Sequence, residues 1–543
     1  MKSEVLLQNS GKLFSQRASL LTLWQSIAEN HYPERADFTV QRSLGTELAE
    51  GLATGVPIIV RRDLGNAIGG ILRPTNKEWA HTRVDKWDEI GTEARAWLEM
   101  ADDRQRRAMY HRPANFVRAT KEADHDFVTF GQAVLQVSVN SKANDLLYRT
   151  WHLRDCAWDE NADGKIDTVY RKWSVPARRL EQMFPKTVHQ NVRKLSQDDP
   201  MRLVNVLHCF VPNDEPDSRQ PYKSVHLDCD NEHIMEEVAM NIFEYVIPRW
   251  QTVSGSQYAY SPAVVVGLPD ARTLQEMTIT LLEAGEKAVS PPLLGVQGAL
   301  RSDVNVMAGG LTWVDREYDE RLGEVLRPLT VDKNGIPLGL DMAQQIEMRL
   351  KDAFYINQLT LPPAGGPDMT AYEVGQRVQE HIRQVMPLFE PIETEYNAPL
   401  CETTFEILMR FGVFGSPDLI PEELQGKDIT FSFESPLHDA AERAKAQRYL
   451  EATSLVANAI AADPSTAYLI DHKRAAREAL QVSGVPNAWL RSEAEVDILA
   501  QQQAEQEQQA ALLQQMQAGA DIANKIGMTP APSGTGGTGE RPL

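Results

Sequence analysis

Cysteine is scarce in this chain, and its spacing predicts neither a disulfide framework nor a zinc site. No two of the four cysteines are separated by only two residues, as a metal or redox pair would require; they are Cys156, Cys209, Cys229 and Cys401. The sequence also lacks any run of about 18 apolar residues, so it predicts no membrane-spanning helix. Its first residues, MKSEVLLQNSGK, contain no apolar segment typical of a secretory signal. We therefore expect buried free thiols, no metal site and no membrane association.

Basic residues are too few to favour tight binding to nucleic acid. The chain has 55 Lys and Arg residues against 76 Asp and Glu residues, which gives a net charge of −21. Affinity for DNA comes mainly from Lys and Arg side chains that neutralise phosphates. An acidic wall would instead repel a duplex and let it slide without being held.

Catalytic and nucleotide-binding motifs are also missing from the sequence. There is no Walker A motif, no H-E-x-x-H and no G-x-S-x-G. The segment GTGGTG at residues 534–539 matches a dinucleotide motif in its letters, but no predicted strand precedes it and no predicted helix follows it. We predict that the chain is not an enzyme, with no catalytic residue and no cofactor.

Two acidic motifs have structural interpretations. DENADGKID at residues 159–167 resembles the first half of a calcium loop, but Tyr170 occupies the position that needs a bidentate Glu. Asp163 and Gly164 between two predicted strands favour a hairpin turn instead. The second motif is His125 between Asp124 and Asp126 on a predicted helix. Neighbouring residues of a helix point to different faces, so we expect a solvated helix surface there.

The hydrophobic pattern predicts an α+β protein that is predominantly helical. Length alone, at 543 residues, indicates several domains. Helical spacing is found at residues 12–30, 57–72, 91–111, 113–130, 370–386, 400–411, 440–461, 464–482 and 492–526. Strand-like alternation is found at residues 133–139, 146–153, 168–173, 202–211, 223–227, 238–250 and 428–434. The last residues, 528–543, are disordered by composition.

Two further predicted helices, residues 270–289 and 339–359, bracket a short β-like insert rich in Gly and Pro. Asp270, after Pro269, is the predicted N-cap of the first helix. Each helix has an apolar stripe, formed by Leu274, Met277 and Leu281 in the first and by Met342, Ile346 and Leu350 in the second. The second helix has another stripe through Met348, Tyr355 and Leu359. A helix with two apolar stripes must be covered on both sides, either inside one core or in a ring where each copy packs between two neighbours.

A flexible loop follows the second of these helices. Its sequence, LTLPPAGGPDM at residues 359–369, has three prolines, two glycines and no basic residue. Thr370 and Glu373 then form a predicted capping box that starts another helix at once. The loop is thus a mobile segment between rigid helices, with no catalytic group.

Several segments, in this order, resemble the portal (head-to-tail connector) proteins of short-tailed, podovirus-type bacteriophages. The resemblance is carried by WQSIAE at residues 24–29, WHLRDCAWDENADGKIDTVYRKW at 151–173, GSQYAYSPAVVVGLPDARTLQEM at 255–277 and MTAYEVGQRVQEH at 369–381. It implies a portal fold with wing, stem, clip and crown, assembled as a ring, usually dodecameric. Double-stranded DNA would enter and leave the capsid through this ring at one vertex.

The resemblance also implies a division of the chain. It assigns the wing to residues 1–269 and 370–440, the stem helices to 270–289 and 339–359, the clip to 290–338, the channel loop to 360–369, the crown to 441–527 and a disordered tail to 528–543. The stem packing residues are then Leu274, Met277, Leu281, Met342, Ile346 and Leu350. The clip residues are Pro291, Pro292, Arg301, Trp313 and Arg316. The loop residues that face DNA are Leu361, Pro362, Pro363, Ala364, Gly365, Gly366, Pro367, Asp368 and Met369.

The partners that the resemblance implies are other copies of the chain and the rest of the virion. They comprise double-stranded DNA passing without sequence specificity, the terminase large subunit, tail adaptor and tail tube proteins, and the major capsid and scaffolding proteins. The location would be the unique capsid vertex, after assembly in the host cytoplasm. The alternative hypothesis is a soluble helical adaptor or scaffold protein without a DNA channel.

Overall fold

The computed structural model describes most of the first 433 residues and a few positions beyond them. The described residues are 2–75, 78–84, 90–140, 142, 144–215, 218–296, 299–300, 302–305, 312–315, 319, 321, 324–329, 335–359, 392–433, 476, 496, 498–499, 501–503, 506 and 508–509. The chain divides into two compact units, Met1–Ala444 and Lys445–Leu543.

Eleven helices and twelve strands are found in the described part of the first unit. The helices are α1 Ser3–Gln16, α2 Ala18–His31, α3 Val56–Leu72, α4 Thr92–Met109, α5 Phe116–Phe130, α6 Ala177–Met183, α7 Gln190–Asp198, α8 Leu268–Val289, α9 Gly335–Ala353, α10 Ile356–Leu359 and α11 Ala398–Arg410. The strands are β1 Ala80–Val84, β2 Val134–Val139, β3 Leu146–Trp151, β4 Cys156–Glu160, β5 Ile166–Pro176, β6 Leu203–Pro212, β7 Tyr222–Asp228, β8 His233–Met240, β9 Tyr245–Val246, β10 Leu293–Gly295, β11 Leu326–Pro328 and β12 Ile429–Phe433. The predicted α+β class is confirmed.

The predicted single helix over residues 12–30 is wrong, because the structure has two helices that meet at Arg17. The side chain of Arg17 is buried and donates to the backbone oxygens of Leu153 and Arg154, at 2.9 and 2.5 Å. Its backbone leaves the helical conformation, with φ −91° and ψ 5°. The hydrophobic pattern does not contain this long-range tie, so it could not predict the break.

The main core lies where α2, α3 and α5 pack against the three-stranded sheet. Trp24 of α2 and Phe130 of α5 are buried there, with ring centroids 6.4 Å apart. Helices α3 and α5 approach closely because Gly65 has no side chain. A Cβ at that position would overlap Nδ1 of His125. The glycine is therefore a packing requirement rather than a hinge.

Every strand pair in the described part of the chain is antiparallel. The largest sheet has the order β4-β5-β6-β7-β8, with Tyr170 opposite Cys209 in its centre, and a second sheet has the order β3-β2-β9. Strands β1 and β12 form a two-stranded sheet that joins residues 80–84 to 429–433. The predicted strand over residues 238–250 is wrong in its bounds, because β8 ends at Met240. Beyond it, Tyr245–Val246 pairs with β2, and Arg249 forms an isolated antiparallel bridge with Gln132.

The predicted turn at Asp163 and Gly164 is confirmed as the hairpin between β4 and β5. The side-chain oxygen of Asn161 accepts from the backbone nitrogens of Asp163 and Lys165, at 2.9 and 3.0 Å. Gly164 has φ +75°, which favours glycine. These contacts account for the DENADGKID motif as turn chemistry.

Three of the four cysteines are buried and all four are free, as expected; Cys229 is only half-buried. Burial raises the pKa of the Cys229 thiol to about 11 and that of Cys156 to about 12. A thiol with such a pKa is a poor nucleophile near neutral pH. The cysteines therefore act as small core residues.

The remaining predicted elements differ in how far the structure describes them. The predicted helix at 400–411 is α11, and the predicted strand at 428–434 is β12. The predicted helices at 370–386, 440–461 and 464–482 lie outside the described residues, apart from residue 476, which is helical. Within 492–526, the described positions between 496 and 509 are helical. No helix in the described part of the chain is long and apolar enough to cross a membrane.

Candidate functional site

The candidate site is the long helical hairpin formed by α8 and α9, together with the segments at its two ends. Helix α8 begins at Leu268 as the continuation of a π-helical turn, Ala263–Gly267, so the prediction of Asp270 as N-cap is wrong. Asp270 lies in the first turn and is 6% exposed. Its Oδ1 accepts from Nη2 of Arg349 at 2.5 Å. This ion pair ties the start of α8 to the second half of α9.

The inner face of the hairpin contains most of the predicted stem packing residues. Leu274, Ile346 and Leu350 are buried, with exposures of 1%, 8% and 0%. Met277 and Leu281 are half-buried and pack against the same core. These five residues are thus buried or half-buried within one copy of the chain, and their role in packing a stem stays a prediction.

Met342, the sixth predicted packing residue, is 49% exposed. The adjacent Ala343 is buried in the core at this turn of α9, and the role of Met342 in stem packing stays a prediction. Met348, on the second predicted stripe, is 54% exposed. Further exposed apolar residues of the two helices are Ile279, Leu282, Val289, Leu338 and Leu340. An uncovered apolar surface of this kind indicates contact with another molecule.

The second helix of the hairpin is interrupted, which the sequence did not predict. Instead of one helix over residues 339–359, α9 starts earlier, at Gly335, and ends at Ala353; the short α10 follows. Tyr355 has φ +58°, an unusual conformation for an aromatic residue. Phe354 is fully buried against His31, at 5.4 Å between ring centroids, and Tyr355 stacks on Trp250 at 6.2 Å. These contacts hold the break in place.

The opposite end of the hairpin holds the predicted clip. Strands β10 and β11 pair there, with Leu294 opposite Arg327. Pro291 and Pro292 lead from α8 into β10, and Trp313 is 64% exposed. Arg301 and Arg316 lie outside the described residues. Of the described clip residues, Pro291 is half-buried, whereas Pro292 and Trp313 are exposed.

The predicted channel loop lies outside the described residues. This covers all nine of its residues, Leu361, Pro362, Pro363, Ala364, Gly365, Gly366, Pro367, Asp368 and Met369. The described chain ends at Leu359, after α10, and resumes at Ile392. The short helix α10 is therefore the last described element before the loop, and the break at Tyr355 directly precedes it.

The acidic motif at Asp124, His125 and Asp126 is buried, so the predicted solvated surface is wrong. Asp126 pairs with Arg35 at 2.6 Å, and Asp124 pairs with the buried Arg73. The three motif residues are 3%, 9% and 1% exposed. They lie at the packed contact of α5 with α3 and its flanking segments.

The electrostatics of this cluster follow from burial beside arginines. The ring of His125 contacts Nη1 of Arg61 at 3.1 Å. Burial, together with the charge of Arg61, lowers the pKa of His125 to about 4. Burial alone would lower the pKa of Arg73, but the carboxylate of Asp124 outweighs it and holds that pKa above its usual range. The arginine partners of the motif precede it by 51 to 91 residues, so the local sequence pattern could not identify them.

The described residues contain no group of three or more His, Cys, Asp or Glu residues placed to hold a metal ion. The buried side chains of Asp124, His125 and Asp126 contact arginine side chains, and these contacts stabilise the packing of α5. The hairpin instead provides an apolar surface, an exposed end and a helix break before the loop.

Comparisons with known proteins give a consistent picture. The chain is 26% identical over 547 residues to a probable portal protein of Bordetella phage BPP-1. This alignment covers 96% of this chain and 95% of the relative. It is 22% identical over 378 residues to the portal protein of Salmonella phage epsilon15, and this alignment covers 67% of each chain.

A solved structure described as the virion of a native gene transfer agent particle aligns with 74% of this chain and 86% of its own, at 9% identity and a TM-score of 0.36. A TM-score of that size is too low to establish a shared fold. The family of the bacteriophage head to tail connecting protein matches residues 4–490, which is most of the chain. The chain therefore belongs to the bacteriophage head-to-tail connecting protein family.

Proposed function

We propose that this chain is the subunit of a portal: a ring-shaped channel at one capsid vertex, through which double-stranded DNA is packaged and later ejected. The observation that carries the proposal is the family match over residues 4–490. Both relatives, which cover two thirds or more of this chain, are named as portal proteins. The family is a structural one, and its membership confirms the prediction that the chain is not an enzyme.

The helical hairpin supports assembly into a ring. One face of α8 and α9 is buried within the subunit, and outside that face Leu282, Met342 and Met348 are 59%, 49% and 54% exposed. A closed ring joins subunits head to tail, so each copy uses two different surfaces for its two neighbours. The exposed apolar residues provide one such surface along the length of the stem.

The acidic net charge of the chain favours a channel through which DNA passes over a site that binds DNA tightly. A net charge of −21 disfavours phosphate binding, so DNA would pass without being held. The loop at residues 360–369 has no Lys or Arg. Its contact with DNA would be steric and valve-like, and the work of translocation would come from the separate ATPase of the terminase motor.

The division of the subunit follows the same proposal. Residues 1–269 with 370–440 form the wing, α8 and α9 form the stem, residues 290–338 form the clip and residues 441–527 form the crown. The exposed Trp313 and the segment around Pro291 and Pro292 suit the clip's role as docking platform, first for the terminase and then for the tail adaptor. Capsid and scaffolding proteins would contact the wing at the vertex.

The first experiment is negative-stain electron microscopy of the purified protein, combined with light scattering for mass. Rings of about a dozen subunits with a hole wide enough for a duplex, roughly 20 Å or more, are the expected result. Solid particles without a hole would contradict a portal and favour an adaptor or scaffold. If the protein purifies as a monomer, assembly with scaffolding and capsid proteins, followed by imaging of the vertex, gives the same decision.

A further inference from the structure

Residues 40–52, hereafter the arm, form an exposed irregular segment between α2 and α3. Leu44 is fully exposed, at 106%, and Val40 and Leu48 are 50% and 43% exposed. Two glycines of the arm, Gly45 and Gly51, have positive φ and no atom near the position of a Cβ. The described part of the chain therefore leaves the leucines of the arm open to solvent.

The N-terminal end of the arm is held by one glutamine. Gln25 is 5% exposed, and its Oε1 accepts from the backbone nitrogens of Phe38 and Thr39 at 2.8 and 3.3 Å. Its Nε2 donates to the backbone oxygen of Ala36 at 3.0 Å. A buried amide with both ends satisfied holds its partners firmly, because losing these bonds leaves polar atoms unpaired.

The C-terminal end is held in the same way by a second glutamine, on helix α8. Gln275 is 7% exposed, and its Oε1 accepts from the backbone nitrogens of Ala53 and Thr54 at 2.7 and 3.0 Å. Its Nε2 donates to the backbone oxygen of Thr54 at 2.8 Å. The arm is thus a loop with both ends fixed, which projects from the body at a defined place.

The second anchor places the arm beside the exposed apolar surface of α8. Gln275, Ile279 and Leu282 are spaced by four and then three residues, so they share one face of the helix. Ile279 and Leu282 are 41% and 59% exposed. The arm consequently leaves the subunit from the face that the proposed ring would cover.

We propose that the arm packs against the neighbouring copy of this chain and buries Leu44 and Leu48 in the contact between subunits. The proposal rests on the ring of the proposed function, because its support is the continuity of the arm with the apolar face of α8. The arm's charge excludes DNA as the occupant. It has Glu47 and Glu50, and its one basic residue, Arg42, donates to the backbone oxygen of Pro33 at 2.9 Å.

The test is a photo-crosslink from the arm in the assembled full-length protein. Leu44 is replaced by benzoylphenylalanine, the particles are irradiated, and products are separated on a denaturing gel and mapped by mass spectrometry. The expected result is a ladder of dimers and larger species that starts from residue 44. Crosslinks confined to one chain, or monomer alone, would overturn the proposal.

A double variant of the arm and a control variant test how much the arm contributes to assembly. Leu44→Ser with Leu48→Ser should reduce the assembled fraction at least tenfold near the assembly midpoint, while the unfolding temperature of the subunit stays unchanged. The matched control is Leu203→Ser, at an apolar residue with 61% exposure on β6, which should leave assembly unaltered. An arm variant that assembles as well as the control would contradict the proposal.

The same measurements separate this proposal from the function on which it rests. Rings without a crosslink between copies refute the role of the arm and leave the portal intact. Failure of the unmodified protein to form any ring, even with its scaffolding and capsid partners, refutes both.

Discussion

At the scale of single residues, the structure's main feature is a set of buried charges where α5 packs. Arg73 and Asp124 have side chains that are 3% and 4% exposed, whereas the pair of Arg107 and Asp103 on α4 has 77% and 46% exposure. The cost of breaking an ion pair depends on burial, since a lone buried charge cannot recover its hydration. Because both pairs join an Arg to an Asp in the same chain, the effect of burial on the cost of breaking an ion pair can be measured directly.

We predict that Arg73→Leu lowers the free energy of unfolding by about 3–5 kcal/mol, because Asp124 is left buried without its partner. The control, Arg107→Leu, should cost less than about 1 kcal/mol, since exposed pairs contribute little. Denaturant-induced unfolding followed by circular dichroism measures both. Equal losses in the two variants would show that the buried pair has no special role.

A second residue-scale prediction concerns acid stability. Burial lowers the pKa of His31 to about 4, and the usual value in an unfolded chain is about 6.5. The folded protein therefore binds fewer protons than the unfolded chain between these values. The stabilisation is fully present above pH 6.5 and falls as the pH decreases, by about 3 kcal/mol per such group at pH 4.

Unfolding temperatures measured from pH 7 to pH 5 should fall steadily, and His31→Gln should make that slope shallower. His125 also has its pKa lowered to about 4, so part of the slope should remain in the variant. A slope that His31→Gln leaves unaltered would contradict the assignment to His31.

At the scale of elements, the two faces of the helical hairpin have different roles. The sequence placed Ile346 and Leu350 on an apolar stripe, and the structure buries both within their own subunit. The exposed apolar residues are instead Leu282 on α8 and Met342 and Met348 on α9. Variants that test a contact between subunits should therefore change Leu282, Met342 or Met348.

We predict that Leu282→Asp combined with Met348→Asp prevents ring formation, because it would bury unpaired charge between subunits. The unfolding temperature of the subunit should remain unchanged. Ile346→Asp, the matched variant on the inner face, should instead lower the unfolding temperature. Light scattering and thermal unfolding separate the two effects, and rings that persist in the double variant would refute the stem interface.

The break at Phe354 and Tyr355 shows what element prediction misses. The local sequence there has no Gly or Pro, and its apolar spacing continues through the break. Gly267, on the π-helical turn before α8, leaves room for the Phe354 ring, since a Cβ there would lie 2.9 Å from it. Gly267 and His31, which pack against Phe354, precede it by 87 and 323 positions, so the local pattern could not predict the pocket.

At the scale of the whole molecule, the central prediction concerns the loop between the stem and the second part of the wing. Deleting residues 363–367 should leave ring assembly intact, because the apolar residues proposed for the contact between subunits belong to α8 and α9 and remain in the variant. It should impair DNA packaging or retention, since the loop would contact the duplex in the channel. Imaging of the rings and measurement of packaged DNA test this, and a variant that does not assemble would contradict the loop assignment.

The protein family and the α+β class were predictable from the sequence by itself. The order of the family segments is sufficient for the first, and the pattern of apolar residues is sufficient for the second. The segments at residues 24–29, 151–173 and 255–277 predicted a head-to-tail connector, and the family match confirms it. Alternating and helical spacing predicted the α+β class and the hairpin turn at Gly164. These are local signals, set by backbone preference and side-chain periodicity.

Only the tertiary structure decided which side of each element is buried. It buried the motif around His125 beside Arg61, left Met342 of α9 exposed, and anchored residues 40–52 at Gln25 and Gln275. Each outcome depends on a partner that lies distant in the chain. Burial and pairing are properties of contacts between elements, and periodicity within one element does not contain them.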